Sequence, residues 1–320
     1  MNLELQIKPY ESWMEKDVIE MFNFQYNFKA NEFAKTFENF YKHDFQKSKG
    51  LRIVALDNNK VVGFQSFFFW PYQFKNKVYN SYQSGNSIVH QDYRGKGIFG
   101  KLLKYTEENK IDLGIDFLIG FPVKESFNSF IRKGWSNPFN LIWNIKPISL
   151  LSILSPFNKT KFTSRLNDIN FNFENDSSYV SLEDSMEFQL YRQAFGNGYY
   201  FNHLFTLGNE KVHFSLKINI RKKVIKELII GAIHCSYFND TLLIAAFKDL
   251  INKVKKSNQV TLLTFAFPSG SNIFNQALEN NSFKLHNRKI HFICDKVPKE
   301  IAEEIKKGKF LTYRGDIDTW

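Results

Sequence analysis

At 320 residues the chain has room for two domains of about 150 residues, and its 43% hydrophobic content can fill a core in each. A formal charge of +11 favours an anionic partner, but the densest basic runs, Arg221–Lys223 and Lys253–Lys256, are short, so no specific nucleic acid is expected. The two cysteines, Cys235 and Cys294, sit in separate apolar runs without CxxC spacing or a His ligand pattern, so neither a disulfide framework nor a metal is expected.

The opening MNLELQIKPYESW lacks a basic stretch followed by an apolar one. No run approaches the about 18–20 apolar residues of a membrane helix. The reading is a soluble, cytoplasmic protein without integral membrane contact. Leu3–Ile7 alternates as a strand, and after Pro9 the residues Val18, Met21, Phe22 and Tyr26 share one helical face. A second helix is predicted over Asn31–Asp44, with Phe33, Phe37 and Phe40 on one side. A hairpin follows: Leu51–Leu56, a turn at Asp57–Lys60, then Val61–Trp70, in which Gly63 marks a bulge or a close backbone approach. After a turn at Lys75–Lys77, Val78–His90 reads as a third long strand with a polar middle. Ser84 and Asn86 share one face of it.

That strand runs into YRGKGIFGKLL, Tyr93 to Leu103. Arg94, Gly95, Lys96 and Gly97 form a basic, glycine-broken turn, and a helix opens at once with Ile98, Leu102 and Leu103 as its apolar positions. Two glycines let backbone N–H groups converge, and the helix adds the positive end of its dipole. This geometry suits a phosphate or pyrophosphate. A buried strand at Phe117–Phe121, Pro122, a helix over Glu125–Lys133, a Gly134 C-cap and Trp135 complete the stretch, with a further strand at Leu141–Ile145.

Pro147 and Pro156 bracket an apolar patch, ISLLSIL, which reads as a connector packed on the sheet. A peripheral membrane role is the weaker reading, since the run is short and lacks a basic face. The second half then repeats the first in degraded form: a strand at Glu227–Tyr237, a helix at Leu242–Val254, a strand at Val260–Phe267 and a helix at Asn272–Asn280. FLIGFPVKESFNSFIRKGW and LLTFAFPSGSNIFNQALENNSF share strand, Phe-Pro, helix and a closing aromatic, and internal duplication is the simplest account. The repeat has no counterpart of the Arg-Gly-Lys-Gly turn. Tyr199, Tyr200, Asn202 and His203, after Gly196–Gly198, read as a turn with packed aromatics or a loop walling an acceptor pocket.

Long strand, RGKGI, helix, FLIGFP and a helix ending in KGW resemble the GNAT superfamily of acyl-CoA-dependent N-acetyltransferases. Arg94 and Gly97 fill the first two fixed positions of its signature, while Phe99 stands where a small residue is usual. The resemblance implies an α/β (α+β) fold, a mixed, mostly antiparallel sheet with flanking helices, here duplicated. It implies a cofactor-binding lobe at residues 1–146 and a divergent second lobe, on the acceptor side, at 147–320. Acetyl-CoA is the implied co-substrate, held by Ile88, Val89, Arg94, Gly95, Lys96, Gly97, Ile98, Phe99, Ser126 and Phe130. The implied reaction moves acetyl or a short acyl group to the amine of a small acceptor, with an amino sugar nucleotide as the first guess.

In the family a backbone N–H before the turn polarises the thioester carbonyl, which falls here on Val89 or its neighbour. A Tyr that often protonates the thiolate is replaced by Phe130. Candidate bases are His90, Asp92 and Glu125, and Ser84 and Asn86 either contact the acceptor or a water chain leading to the amine or are polar filling of a half-buried strand. Two alternatives stand beside this reading: a Fem-like aminoacyl transferase using charged tRNA, and a non-catalytic CoA-binding protein.

Overall fold

The computed structural model describes residues 5–28, 32–154, 156–159, 175–183, 185–194 and 199–317. Contacts divide the chain into one unit of residues 1–72, 79–137 and 293–298, and a second of 73–78, 138–292 and 299–320. Both are mixed α/β, with mostly antiparallel strands flanked by helices.

The first unit begins with β1 (Gln6–Pro9), α1 (Glu15–Tyr26), α2 (Glu32–Phe37) and α3 (Asp44–Lys47). The predicted helix over 31–44 is thus broken: α2 passes into a π-helical turn at Glu38–Lys42, and His43 leaves the helical region. Asn31, Leu3 and the glycines at 196 and 198 lie outside the described residues. The hairpin follows as β2 (Leu51–Asp57) and β3 (Lys60–Phe69). The third long strand is two. Short strands β4 (Tyr72–Phe74) and β5 (Lys77–Tyr79), most of whose residues count with the second unit, precede β6 (Ser81–Val89). The interruption is at Asn80, whose N–H is bonded to Asp116 Oδ2 at 2.6 Å. Then come α4 (Ile98–Glu108), β7 (Phe117–Gly120) and α5 (Lys124–Arg132).

Strands β1, β2, β3 and β6 pair antiparallel in that order, and β7 lies parallel to β6. Ile293–Asp295 closes the far side of β7, with Ile293 opposite Gly120. On one face of this sheet α4 packs Ile98, Leu102 and Leu103 against Ile53, Phe67, Tyr82 and Leu118. The other face carries an aromatic layer: Phe22 stacks on Phe33 at 4.1 Å and Tyr41 on Phe68 at 5.5 Å. Much of the chain's phenylalanine is therefore core, where each ring buries a large apolar area.

The second unit takes most of β8 (Ser136–Pro147), then β9 (Ser181–Leu182), α6 (Met186–Ala194), β10 (Tyr199–Leu207), β11 (Glu210–Arg221) and β12 (Ile225–Cys235). It continues with α7 (Asp240–Ser257), β13 (Leu262–Pro268), α8 (Asn275–Asn280), β14 (Lys284–Asp295) and α9 (Lys299–Lys306). β8 pairs antiparallel with β13, β13 lies parallel to β12, and β12, β11 and β10 form an antiparallel run. Leu243, Phe247, Leu250 and Val254 of α7 enter one core with Phe214, Leu228, Ile230 and Phe265. Tyr199–His203 is strand β10 and not a loop. Its His203 is turned into the core, bonded to Asp249 of α7 at 2.9 Å. Among the described residues no helix is long and apolar enough to cross a membrane.

Candidate functional site

The site begins where two parallel strands part. β6 and β7 are in register from Ser81 opposite Phe117 to Ser84 opposite Gly120. There β7 ends, and Pro122, two residues on, has no N–H to extend a ladder. β6 runs on to Val89 with β3 along its other edge, Ile88 opposite Phe64 and Val89 opposite Gly63. From Gly85 onward the edge of β6 that faced β7 is open among the described residues.

That open segment is held from behind. The register shifts between Phe64 and Ser66, and Asn86 takes a left-handed φ of 40°. The bulge is fixed by buried polar groups of β3: Gly85 O accepts from Gln65 Nε2 at 3.1 Å and from Ser66 Oγ at 2.8 Å. Ser87 Oγ donates to Gln65 Oε1 at 2.5 Å, and Asn86 Nδ2 donates to the Tyr41 hydroxyl at 2.9 Å. Ser84 Oγ accepts from Gln65 Nε2 at 3.1 Å. Despite their spacing, Ser84 and Asn86 therefore serve different partners, because the bulge changes the alternation between them.

A short 3-10 turn at Gln91–Tyr93 leads to Arg94. Gly95 and Gly97 have φ of 76° and 73°, in the region that favours glycine, and nothing lies within 4 Å of where a Cβ would stand on either. Gly97 is the N-cap of α4, with no side-chain cap. The first N–H groups of a helix lack intrahelical partners and lie at the positive end of its dipole. The donor set and the vacancy around the glycines fit phosphate oxygens.

The charges around this turn are not all free to reach it. Arg94 is turned back: its Nε donates to Val89 O at 3.2 Å and its terminal nitrogen to Gln25 Oε1. Lys96 lies over the Tyr93 ring at 4.7 Å. The sequence reading missed Lys133. Its side-chain end occupies the place a Cβ on Gly100 would take, so its ammonium sits at the first turn of α4. The signal was present as a third glycine just after the turn, though nothing local connects it with a lysine 33 residues on.

Ile98 and Phe130 are core residues. The Phe130 ring meets Phe99 edge-on at 5.2 Å and Trp135 at 4.8 Å, which gives it a packing role. Ser126 Oγ bonds Val123 O at 3.2 Å, at the start of its own helix. Glu125 is exposed in the first turn of α5. His90 caps the 3-10 turn: its Nδ1 accepts from Asp92 N at 3.4 Å and its backbone N–H donates to Val62 O at 2.9 Å. Ile88, Val89, His90 and Arg94 also line a cleft of about 250 Å3 with Met21 and Gln25 of α1.

Residues 6–137 match the family model described as Acetyltransferase (GNAT) domain. No curated protein matches the chain. Among solved structures, the chain is similar to a GCN5-related N-acetyltransferase from Anabaena variabilis, at 9% identity over 91% of this chain and 72% of that one, with a TM-score of 0.63. A GCN5-related N-acetyltransferase from Kribbella flavida gives 8% identity, 91% and 71% coverage and 0.59. Saccharomyces cerevisiae N-myristoyltransferase with bound myristoyl-CoA gives 12% identity, 93% and 85% coverage and 0.50. At such identities the likeness is one of fold; what the matched model adds is confined to residues 6–137, the stretch that matches a GNAT acetyltransferase domain.

Proposed function

We propose that this protein transfers an acyl group, acetyl or similarly short, from coenzyme A to the amine of a small acceptor. The observation that carries the reading is the parting of β6 from β7 after Ser84, followed directly by the Arg94–Gly97 turn. The open backbone of Gly85–Val89 offers amide groups to a pantetheine arm as an added strand would. The first-turn N–H groups of α4, with Lys96 and Lys133 beside them, hold the pyrophosphate. Acetyl-CoA, when bound, supplies the activated acyl carbonyl.

A backbone N–H at Val89 or its neighbour donates to the carbonyl oxygen as negative charge develops there. His90 has Nδ1 engaged by the Asp92 backbone, so Nε2 is the atom that takes the amine proton. Glu125, exposed on α5, is the second candidate for that task. Asn86 is tied to Tyr41 through Nδ2, which leaves its carbonyl oxygen to orient the acceptor. The net charge of +11 suits an acidic acceptor such as an amino sugar nucleotide, and we assign the second unit to its side of the reaction.

The test is isothermal titration with acetyl-CoA, followed by thiol release against a panel of amines. The intact protein is expected to bind. Gly97→Val, which forces a branched residue into a left-handed conformation, is expected to bind about tenfold or more weakly. A chain that gives no heat with acetyl-CoA but binds tRNA would overturn the proposal.

A further inference from the structure

At one end of the second unit β8 finishes, α7 finishes, and β12 and β13 begin. Here Leu150–Leu154 forms a 3-10 turn that presents three leucines outward: Leu150 is 75% exposed, Leu151 69% and Leu154 83%. Single exposed apolar residues are ordinary, but three large ones within five positions form a patch.

The turn is clamped from inside. Ser152, between the exposed leucines, is buried, and its hydroxyl bonds Ser149 O and Thr261 Oγ1, both at 2.8 Å. Its carbonyl accepts from Lys226 Nζ, Ile148 N donates to Thr261 O at 2.9 Å, and Ser149 Oγ donates to Asn258 Oδ1 at 3.0 Å. Fixed outward leucines pay no ordering cost when something covers them.

The same bonds bring basic residues from distant sequence to the patch. Asn258 caps the end of α7, which carries exposed Lys255 and Lys256. Lys226 follows the β11–β12 hairpin tip, where Arg221, Lys222 and Lys223 are exposed and Val224 adds an apolar side chain. Lys159, also exposed, comes from the patch's own C-terminal side. Among these residues and their immediate neighbours on the strands, the carboxylate is Glu227, which is buried and paired with Arg221 at 2.5 Å. Apolar side chains with lysines on the segments bonded to their turn match a bilayer interface, where leucines enter at headgroup level and cations meet lipid phosphates.

We propose that this end of the second unit docks on an anionic phospholipid surface, with Leu150, Leu151 and Leu154 inserted and Lys222, Lys223, Lys255 and Lys256 against the headgroups. The surface is independent of the acyl-transfer reading. The run ISLLSIL has no basic face of its own; the fold supplies one from two other segments.

Co-sedimentation of the full chain with vesicles tests it. The protein is expected to pellet with phosphatidylglycerol-rich vesicles and to stay in solution with pure phosphatidylcholine. Raising salt weakens the binding. Leu150→Ser, Leu151→Ser and Leu154→Ser together, and separately Lys222→Glu with Lys223→Glu, are each expected to lower partitioning by about tenfold or more. All these positions are exposed, and an unchanged thermal melt shows that each variant folds. No pelleting, or pelleting indifferent to the leucine changes, overturns the proposal. So does a dimer in sedimentation velocity that the leucine variant dissolves, since the patch would then belong to a second copy of the chain.

Discussion

Helices α4 and α7 each follow a strand that has just parted from its parallel neighbour. β6 and β7 hold register over four pairs, ending at Ser84 and Gly120; β12 and β13 do the same from Glu227 opposite Leu262 to Ile230 opposite Phe265. Beyond that point the two regions differ. In the first unit no further strand pairing continues beyond Ser84 and Gly120 among the described residues, and α4 starts at a glycine without a side-chain cap. In the second, residues from the chain's own end occupy the opening. Gly315 lies so close to the carbonyl of Gly231 that a Cβ would overlap it, and Tyr313 packs against Phe265 and Phe274 at 5.9 and 6.1 Å. Arg192 donates to Gly315 O and lies 3.6 Å from Asp316 Oδ1. The start of α7 is satisfied internally as well, since Asn239 Oδ1 accepts from Leu242 N at 2.8 Å. Parted strands leave backbone groups that need partners. One region finds them within the chain; the other is where the coenzyme A seat is proposed.

The comparison breaks most visibly at Gly315. Gly315→Leu drives a branched side chain into the Gly231 backbone and is expected to lower stability by about 3 kcal/mol or more, read from the urea midpoint. Unchanged stability would mean that the segment does not fill the opening. A somewhat smaller effect sharpens the anchoring of α7. Burial, with Lys253 nearby, holds the His203 imidazole down to about 4, against the opposing pull of Asp249. Between that value and 6.5 the unfolded chain binds the proton that the folded chain refuses. Stability is therefore full above about pH 6.5 and falls as pH drops towards 4, by about 3 kcal/mol at most. His203→Phe should flatten this part of the urea-midpoint profile. The smallest change removes the cap: Asn239→Ala is expected to cost about 1 kcal/mol in the same measurement, with acetyl-CoA titration unaltered. A larger loss of affinity would tie the second opening to the first.

Much of the first unit is legible in the sequence because its signals are local. The Gly95 and Gly97 turn, the apolar face of α4 and the break at Pro122 each follow from neighbouring residues. The bulge at Asn86 was hidden, because it depends on Gln65 and Ser66 across the ladder. The roles of Arg94 and Lys133 were hidden for the same reason: Arg94 folds back onto Val89 and Gln25, and Lys133 arrives from another helix. In the second unit, β10 and β11 escaped the reading, as did β14 apart from the strand-like run around Cys294. His203, His213 and the Tyr199–Tyr200 pair look polar or loop-like in isolation, and only pairing with neighbouring strands makes them extended. The interrupted long strand at Asn80 turns on a single bond to Asp116, 36 positions away.

Gly63 carries a consequence for how tightly the first site is made. The methyl of Ile98 stands 2.7 Å from where a Cβ on Gly63 would be. The first turn of α4 thus rests directly on the backbone of β3, the strand that also sets the bulge of β6. Both halves of the proposed cofactor seat take their position from one datum, much as two machined faces are cut from a single reference edge. A side chain at position 63 would have to displace Ile98, and that pressure falls on the first turn of α4, whose place relative to the open edge of the strand is what the seat depends on.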